Sequence, residues 1–211
     1  LEQKNQQAQP TYSHNSQKTM LCLKTSTNSG WIDVAAANMP AIMRDHAHCE
    51  KKAALNALNL IMRYPDKTEL VREVITILEE ETAHFKLMVG ELAQRGLNLG
   101  LDKGNPYAQQ LSSVVSKQEP MRLLDLLLVD CLIEARSCER FTLLAASEAI
   151  PPDLRGIYHS LMASEEGHFM TFVEIAKTYF PHDVVDKRLE EISDLEANIV
   201  RSLTNQPAMH G

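Results

Sequence analysis

Six side chains carry the chemistry of this sequence, and their spacing brings them together. Tracing apolar residues in steps of three and four gives four helical stripes. The first is Met43, Ala47, Glu50, Ala54, Ala57, Ile61, and the second is Val74, Leu78, Glu81, Phe85, Met88, Leu92. The third is Leu124, Leu127, Cys131, Glu134, Cys138, Phe141, Ala145, and the fourth is Leu154, Tyr158, Leu161, Glu165, Phe169, Phe172, Ala176. Each stripe holds a single Glu. A glutamate is almost never fully buried without a partner. Four facing one another in a core would repel and lose their hydration, at several kcal/mol each. No basic residue lies on the stripes to neutralise them, so metal ions are the natural counter-charge.

Two of these glutamates have a His three residues later, as Glu81-Thr82-Ala83-His84 and Glu165-Glu166-Gly167-His168. Residues at i and i+3 share a helix face, so both side chains reach one site. Four carboxylates and two imidazoles are the ligand set of a di-iron or di-manganese carboxylate bundle. Two divalent ions would balance the four negative charges. The spacing repeats: Glu81 follows Glu50 by 31 residues, and Glu165 follows Glu134 by 31. A shift of 84 residues carries Glu50, Glu81 and His84 onto Glu134, Glu165 and His168. The halves therefore read as two copies of one helix pair about a pseudo-two-fold axis.

The same shift carries His46 onto Asp130, each one turn before a core Glu. Both are expected to orient a ligand imidazole, or else to be ordinary polar residues. Glu79, Glu80, Glu139 and Glu166 fall off the stripes and read as solvated. His48, His159 and His182 read as surface or helix-end residues. Cys131 and Cys138 read as small apolar residues, and Cys49 points away from the site.

Four long helices must position these groups. Asn38 and Pro40 start the first, which runs to about Arg63; Asp66 is a candidate N-cap for the second, which stops at Gly96. Pro120 opens the third, Asp153 to Phe180 forms the fourth, and a charged amphipathic helix covers about Val184 to Leu203. At 1.5 Å per residue each long helix is about 40 Å. Short turns join the first to the second and the third to the fourth. A long connection, with a short helix near Tyr107 to Val115, joins the pairs. The expected fold is all-α: a ferritin-like four-helix bundle with one long crossover and an extra C-terminal helix. Residues 1–30 read as a polar tail or a loosely docked arm, 31–205 as the bundle and 206–211 as a tail.

Composition agrees. The chain has 211 residues, 44% hydrophobic and 5% aromatic, with few Gly and Pro, which argues against a sandwich or barrel. A formal charge of −7 excludes nucleic-acid binding by bulk charge, though a local basic patch can still serve. Four cysteines without a close pair suggest reduced thiols rather than a disulfide framework or zinc ribbon. No apolar run is long enough to span a membrane and no signal peptide is visible, so a cytoplasmic protein is expected.

Several stretches resemble one family. Arg44-Asp45-His46-Ala47-His48-Cys49-Glu50-Lys51-Lys52-Ala53-Ala54 is similar to the first ligand helix of the tRNA 2-methylthio-N6-isopentenyladenosine hydroxylases, the MiaE family. Glu79 to Phe85, Asp102-Lys103-Gly104-Asn105-Pro106-Tyr107, Leu132 to Phe141 and Ser164-Glu165-Glu166-Gly167-His168-Phe169 resemble it too. The resemblance spans about Trp31 to Leu203 and includes all six ligand positions. It implies a non-haem di-iron monooxygenase that uses O2 and an electron-donor protein or reductase. The substrate implied is the isopentenyl tail of a hypermodified adenosine beside the tRNA anticodon. Leu127, Phe141 and Phe169 are then candidates for a prenyl pocket. Lys51, Lys52, Lys103, Arg136 and Arg140 are candidates for phosphate contacts with the anticodon stem-loop, Arg44 adding to them. A flipped, stacked nucleoside needs few such contacts.

Rival readings share the ligand set. A ferritin-like ferroxidase or iron store needs cage assembly. A manganese catalase turns over peroxide without a reductant. A bundle with a purely structural site is the non-enzymatic alternative. Spacing alone gives neither the oligomeric state nor the electron donor.

Overall fold

Runs with apolar residues every three or four positions become the long helices α2 (Met39–Arg63), α3 (Thr68–Gln94), α5 (Met121–Ala146) and α6 (Pro152–Tyr179). These are joined by the short helices α1 (Trp31–Ala37) and α4 (Pro106–Ser112) and closed by α7 (His182–Ser202). The computed structural model describes residues 21–211, and no strand occurs among them. The turn at 64–67 folds α3 back on α2, and the turn at 147–151 folds α6 back on α5. Residues 95–120, with α4, cross from one pair to the other. Backbones within each pair lie closer than those of opposite pairs. The wider space between the pairs is filled by side chains. This is the ferritin-like four-helix bundle with one crossover.

The stop signals act as expected. Gly96 sits just past α3 at φ +67°, a backbone state that favours glycine. There Gly96 N–H donates to Ala93 O at 3.0 Å and Leu97 N–H to Leu92 O at 2.9 Å, a Schellman closure. Pro40 lies in the first turn of α2. Asp66 does not cap α3: the cap position is Lys67, with no side-chain cap bond.

Two apolar clusters fill the bundle on either side of the glutamate layer. One includes Leu60, Val74, Leu127, Cys131 and Phe172. The other includes Met43, Met88, Phe141, Leu154 and Tyr158. The stripe phases read from the sequence match this burial.

Both ends of the described chain pack against the bundle. Residues 1–20 of the arm lie outside the described residues, but 21–30 dock on α5 and α7. Arg136 is fully buried and explains this docking. Its Nε and Nη2 each donate to Glu196 of α7 at 2.9 Å, Nη2 also to Thr25 O at 3.0 Å, and Nη1 to Glu139. Glu139 in turn accepts from Thr27 N–H at 2.9 Å, so it is not a solvated residue. Arg140, also buried, lies 4.0 Å from the Trp31 ring centroid and donates to Gly211 O at 3.1 Å. Both guanidiniums are buried inside the fold, Arg140 with its Nε and Nη1 unpartnered, so neither is placed to meet RNA. Residues 206–211 are likewise not loose. Met209 and His210 are buried, and His210 stacks on Tyr107 at 5.0 Å.

Arg136→Ala is expected to destabilise the protein by about 3–5 kcal/mol, because it strands Glu196 as a buried unpaired charge. Urea denaturation followed by circular dichroism measures this.

Candidate metal centre

Glu50 on α2, Glu81 and His84 on α3, Glu134 on α5, and Glu165 and His168 on α6 meet at mid-bundle. They form two groups of four ligands. One ligand atom each from Glu50, Glu81, His84 and Glu165 lies within 4.8 Å of the others, and so do atoms from Glu81, Glu134, Glu165 and His168. Glu81 and Glu165 belong to both groups. Each group could hold one ion, with Glu81 and Glu165 available to both and one further Glu and one His in each. The pseudo-two-fold read from the 84-residue shift appears here in space.

The four glutamates and His168 are buried, with His84 slightly open. Glu81 Oε1, Glu165 Oε1 and the Nδ1 atoms of His84 and His168 are buried and make no well-aligned hydrogen bond, although they lie close to one another. His84 Nδ1 lies 3.5 Å from Glu50 Oε2 and 3.8 Å from Glu165 Oε1, and His168 Nδ1 lies 2.8 Å from Glu81 Oε1. Orphaned donors and acceptors converging on one point are what ion ligands present. Carboxylate-rich sites with some imidazole suit iron or manganese.

Electrostatics point the same way. Burial first, and then the charges of Glu50 and Glu134, pushes the Glu81 carboxyl well above the usual range. Burial, with Glu134 and Glu81, does the same to Glu165. Burial also raises Glu134, against a hydrogen bond from Glu165 and the charge of His168. Burial pushes Glu50 upward too, but the charge and hydrogen bond of His46 outweigh it and hold Glu50 low.

The neighbours of the ligands take roles that the spacing left open. His46 does not orient an imidazole. Its Nε2 lies 2.5 Å from Glu50 Oε1, and its ring packs between Phe141 at 4.8 Å and Tyr158 at 5.5 Å. It therefore positions a carboxylate. Asp130 touches no ligand histidine; Asn56 Nδ2 donates to its Oδ1 at 3.4 Å. Burial, reinforced by Glu134, pushes Asp130 up to about 8. The partner of His168 is Glu80, whose Oε2 lies 2.7 Å from Nε2 and leaves Nδ1 aimed at the centre. Sequence reasoning set Glu80 aside because it falls off the stripe, and in the fold it is half-exposed. Its place beside Glu81, on the edge facing α6, was the available signal.

The remaining candidates disperse. Leu127 and Phe169 belong to one apolar cluster and Phe141 to the other, so they do not line one pocket. Lys51 and Lys52 lie 3.6 Å and 3.4 Å from Asp102. Lys103 is exposed, on a cavity of about 580 Å³ with Arg44 and His48. His48 is buried, not a surface residue, and accepts from Lys51 Nζ at 2.9 Å.

Fold and site together define a ferritin-like protein with a buried carboxylate–histidine cluster suited to holding metal. Comparison with known proteins narrows this further. The family model described as tRNA-(MS[2]IO[6]A)-hydroxylase (MiaE) matches residues 15–211, and the chain belongs to that family. A tRNA 2-(methylsulfanyl)-N(6)-isopentenyladenosine(37) hydroxylase of Pseudomonas putida is 31% identical, over 87% of this chain and 89% of the relative. The enzyme of the same name from Salmonella typhimurium is 25% identical, over 89% and 87%. Among solved structures, protein 43 with aldehyde deformylating oxygenase activity from Synechococcus superposes with a TM-score of 0.85. It is 34% identical, over 89% of this chain and 94% of that one.

Two outcomes are expected. Glu80→Ala should weaken binding of the ion at His168 by about 10–100-fold, because the ring loses its orienting partner; a metal titration with a competing chelator reads this. Asp130 holds a proton in the folded chain up to about pH 8 but releases it near pH 4 when unfolded. Its contribution to stability therefore falls as pH rises from about 4 to 8. Asp130→Asn should accordingly raise the melting temperature more at high pH than at pH 5, by thermal denaturation.

Proposed function

We propose that this protein hydroxylates the isopentenyl group of 2-methylthio-N6-isopentenyladenosine next to the tRNA anticodon, using two iron ions, O2 and an electron-donor protein or reductase. The observation that carries this reading is the pair of four-ligand groups sharing Glu81 and Glu165, in a chain that belongs to the MiaE family over nearly its whole length. One oxygen atom of O2 enters a C–H bond of the prenyl tail; two electrons and two protons convert the other to water. When bound, the irons supply the redox chemistry that activates O2.

The chain's own residues set the conditions. Glu81 and Glu165 would contribute to both ions, since each belongs to both groups of four. His46 holds Glu50 in place, and Glu80 fixes the face that His168 presents. The apolar clusters above and below the glutamate layer exclude water, which protects a reactive oxidant from side reactions. No described helix is long and apolar enough to cross a membrane, which agrees with a polymeric RNA substrate met in solution.

The test is an aerobic assay of the iron-loaded protein with reductant and an anticodon stem-loop carrying the modified adenosine. Mass spectrometry should show a gain of one oxygen atom, labelled when 18O2 is supplied. Glu81→Ala and Glu165→Ala should abolish the product and lose both ions. No labelled product from protein verified to hold two irons would overturn the reading. An aldehyde substrate is the second arm, because the Synechococcus neighbour carries an aldehyde deformylating oxygenase activity. Turnover of that substrate alone would move the assignment there.

A further inference from the structure

A groove of about 520 Å³ runs along the seam between α2 and α5 and extends onto the connection before α5. None of its residues is among the six ligands. Its size falls within the roughly 300–1,000 Å³ of ligand sites. On α2, Asn56, Asn59, Leu60 and Arg63 share one face by their i, i+3, i+4, i+7 spacing. On α5, Arg122, Leu126, Val129 and Asp130 share one face by their i, i+4, i+7, i+8 spacing. The groove is graded along its length. Arg63, Lys117 and Arg122 form the outer end, Leu60 and Val129 line the middle, and Asp130 with Asn56 closes the inner end. Asp130 is one helical turn from Glu134, close enough for the two carboxyls to feel each other.

Three features mark the outer end as an anion site. Arg63, Lys117 and Arg122 form no salt bridge among the described residues, whereas Lys51, Lys52 and Arg188 are each tied to an aspartate. Arg122 Nε is buried and has no partner. The protein carries a net charge of −7, yet three cations and one carboxylate, Asp130, line this groove, with Glu119 nearby on Tyr64. Such a groove suits a polyanion whose unstacked base enters behind its phosphates.

We propose that this α2–α5 groove seats the single-stranded RNA around the reacting adenosine, with Arg63, Lys117 and Arg122 on the phosphates and the Asn56, Asn59 and Leu60 face toward the nucleoside. This rests on the hydroxylase reading above and adds where the RNA lies.

The test is fluorescence anisotropy of a labelled, modified anticodon stem-loop on the full-length, iron-loaded protein at potassium chloride concentrations between about 50 and 200 mM. The triple variant Arg63→Gln, Lys117→Gln, Arg122→Gln should bind at least about tenfold more weakly at low salt. Its plot of log affinity against log salt should be shallower by about 2, since each single-strand phosphate contact contributes about 0.7. A control variant, Lys86→Gln, Lys187→Gln, Arg201→Gln, makes the same charge change elsewhere and should keep the wild-type Kd. Lys117→Glu alone, at an exposed loop position, guards against misfolding of the triple variant and should also weaken binding. Wild-type affinity in the groove variants, or an equal loss in the control, overturns the groove. Binding and hydroxylation by the wild type with no effect of the groove variants overturns the groove alone. Failure of the wild type to bind the modified RNA overturns the groove and the function together.

Discussion

Four carboxylates gathered in one buried layer set the terms for the rest of this structure. Without counter-charge the arrangement opposes folding, since each glutamate loses hydration and faces three like charges. Neutral pairing with lysine or arginine is absent from the layer, and two imidazoles cannot balance four negative charges. Two divalent ions can, and the unpartnered Glu81, Glu165, His84 and His168 atoms sit where such ions would take them up. The fold has to leave room for this. Close packing within each helix pair and wider spacing between pairs does so, and an apolar cluster on either side supplies the burial that offsets the cost.

The pseudo-two-fold arrangement holds for the ligands and fails just outside them. Glu81 and Glu165 are equivalent, and so are the two Glu–His completions. Beyond them, His46 braces Glu50, whereas its counterpart Asp130 turns to Asn56. Glu80 braces His168, whereas its counterpart is Ser164, whose hydroxyl donates to Glu80 at 3.3 Å. The two groups of four therefore share a donor set and differ in their surroundings. A reaction that places substrate on one side of the pair and oxidant chemistry across it has use for that inequality.

Much of this was legible in the sequence, because burial in a long amphipathic helix leaves a periodic trace. A lone Glu on an apolar stripe is conspicuous, and the repeat of its spacing removed the ambiguity. What escaped depended on packing around a second face. α5 is buried on two sides, against the bundle and against α7 with the 21–30 segment. A periodicity argument follows one stripe and assigns the other residues to solvent, which is how Arg136, Arg140 and Glu139 were misplaced. Glu80 escaped for a related reason: its role is set by the neighbouring helix α6, and no spacing within α3 records it. Asp66 was an N-cap by type but one position too early for a helix that begins at Thr68.

The misplaced arginines also change how an acidic protein can meet RNA. A guanidinium that holds Glu196 inside the fold cannot also hold a phosphate, because leaving would strand the glutamate. The same competition, weaker at the surface, applies to Lys51 and Lys52 beside Asp102. Electrostatic binding therefore depends on cations left over after the fold has used what it needs. On this surface Arg63, Lys117 and Arg122 are left over together, and they gather at the mouth of a groove that ends one turn from a metal-centre glutamate. Net charge says little about such a protein's partners; the distribution of its unpaired charges says more.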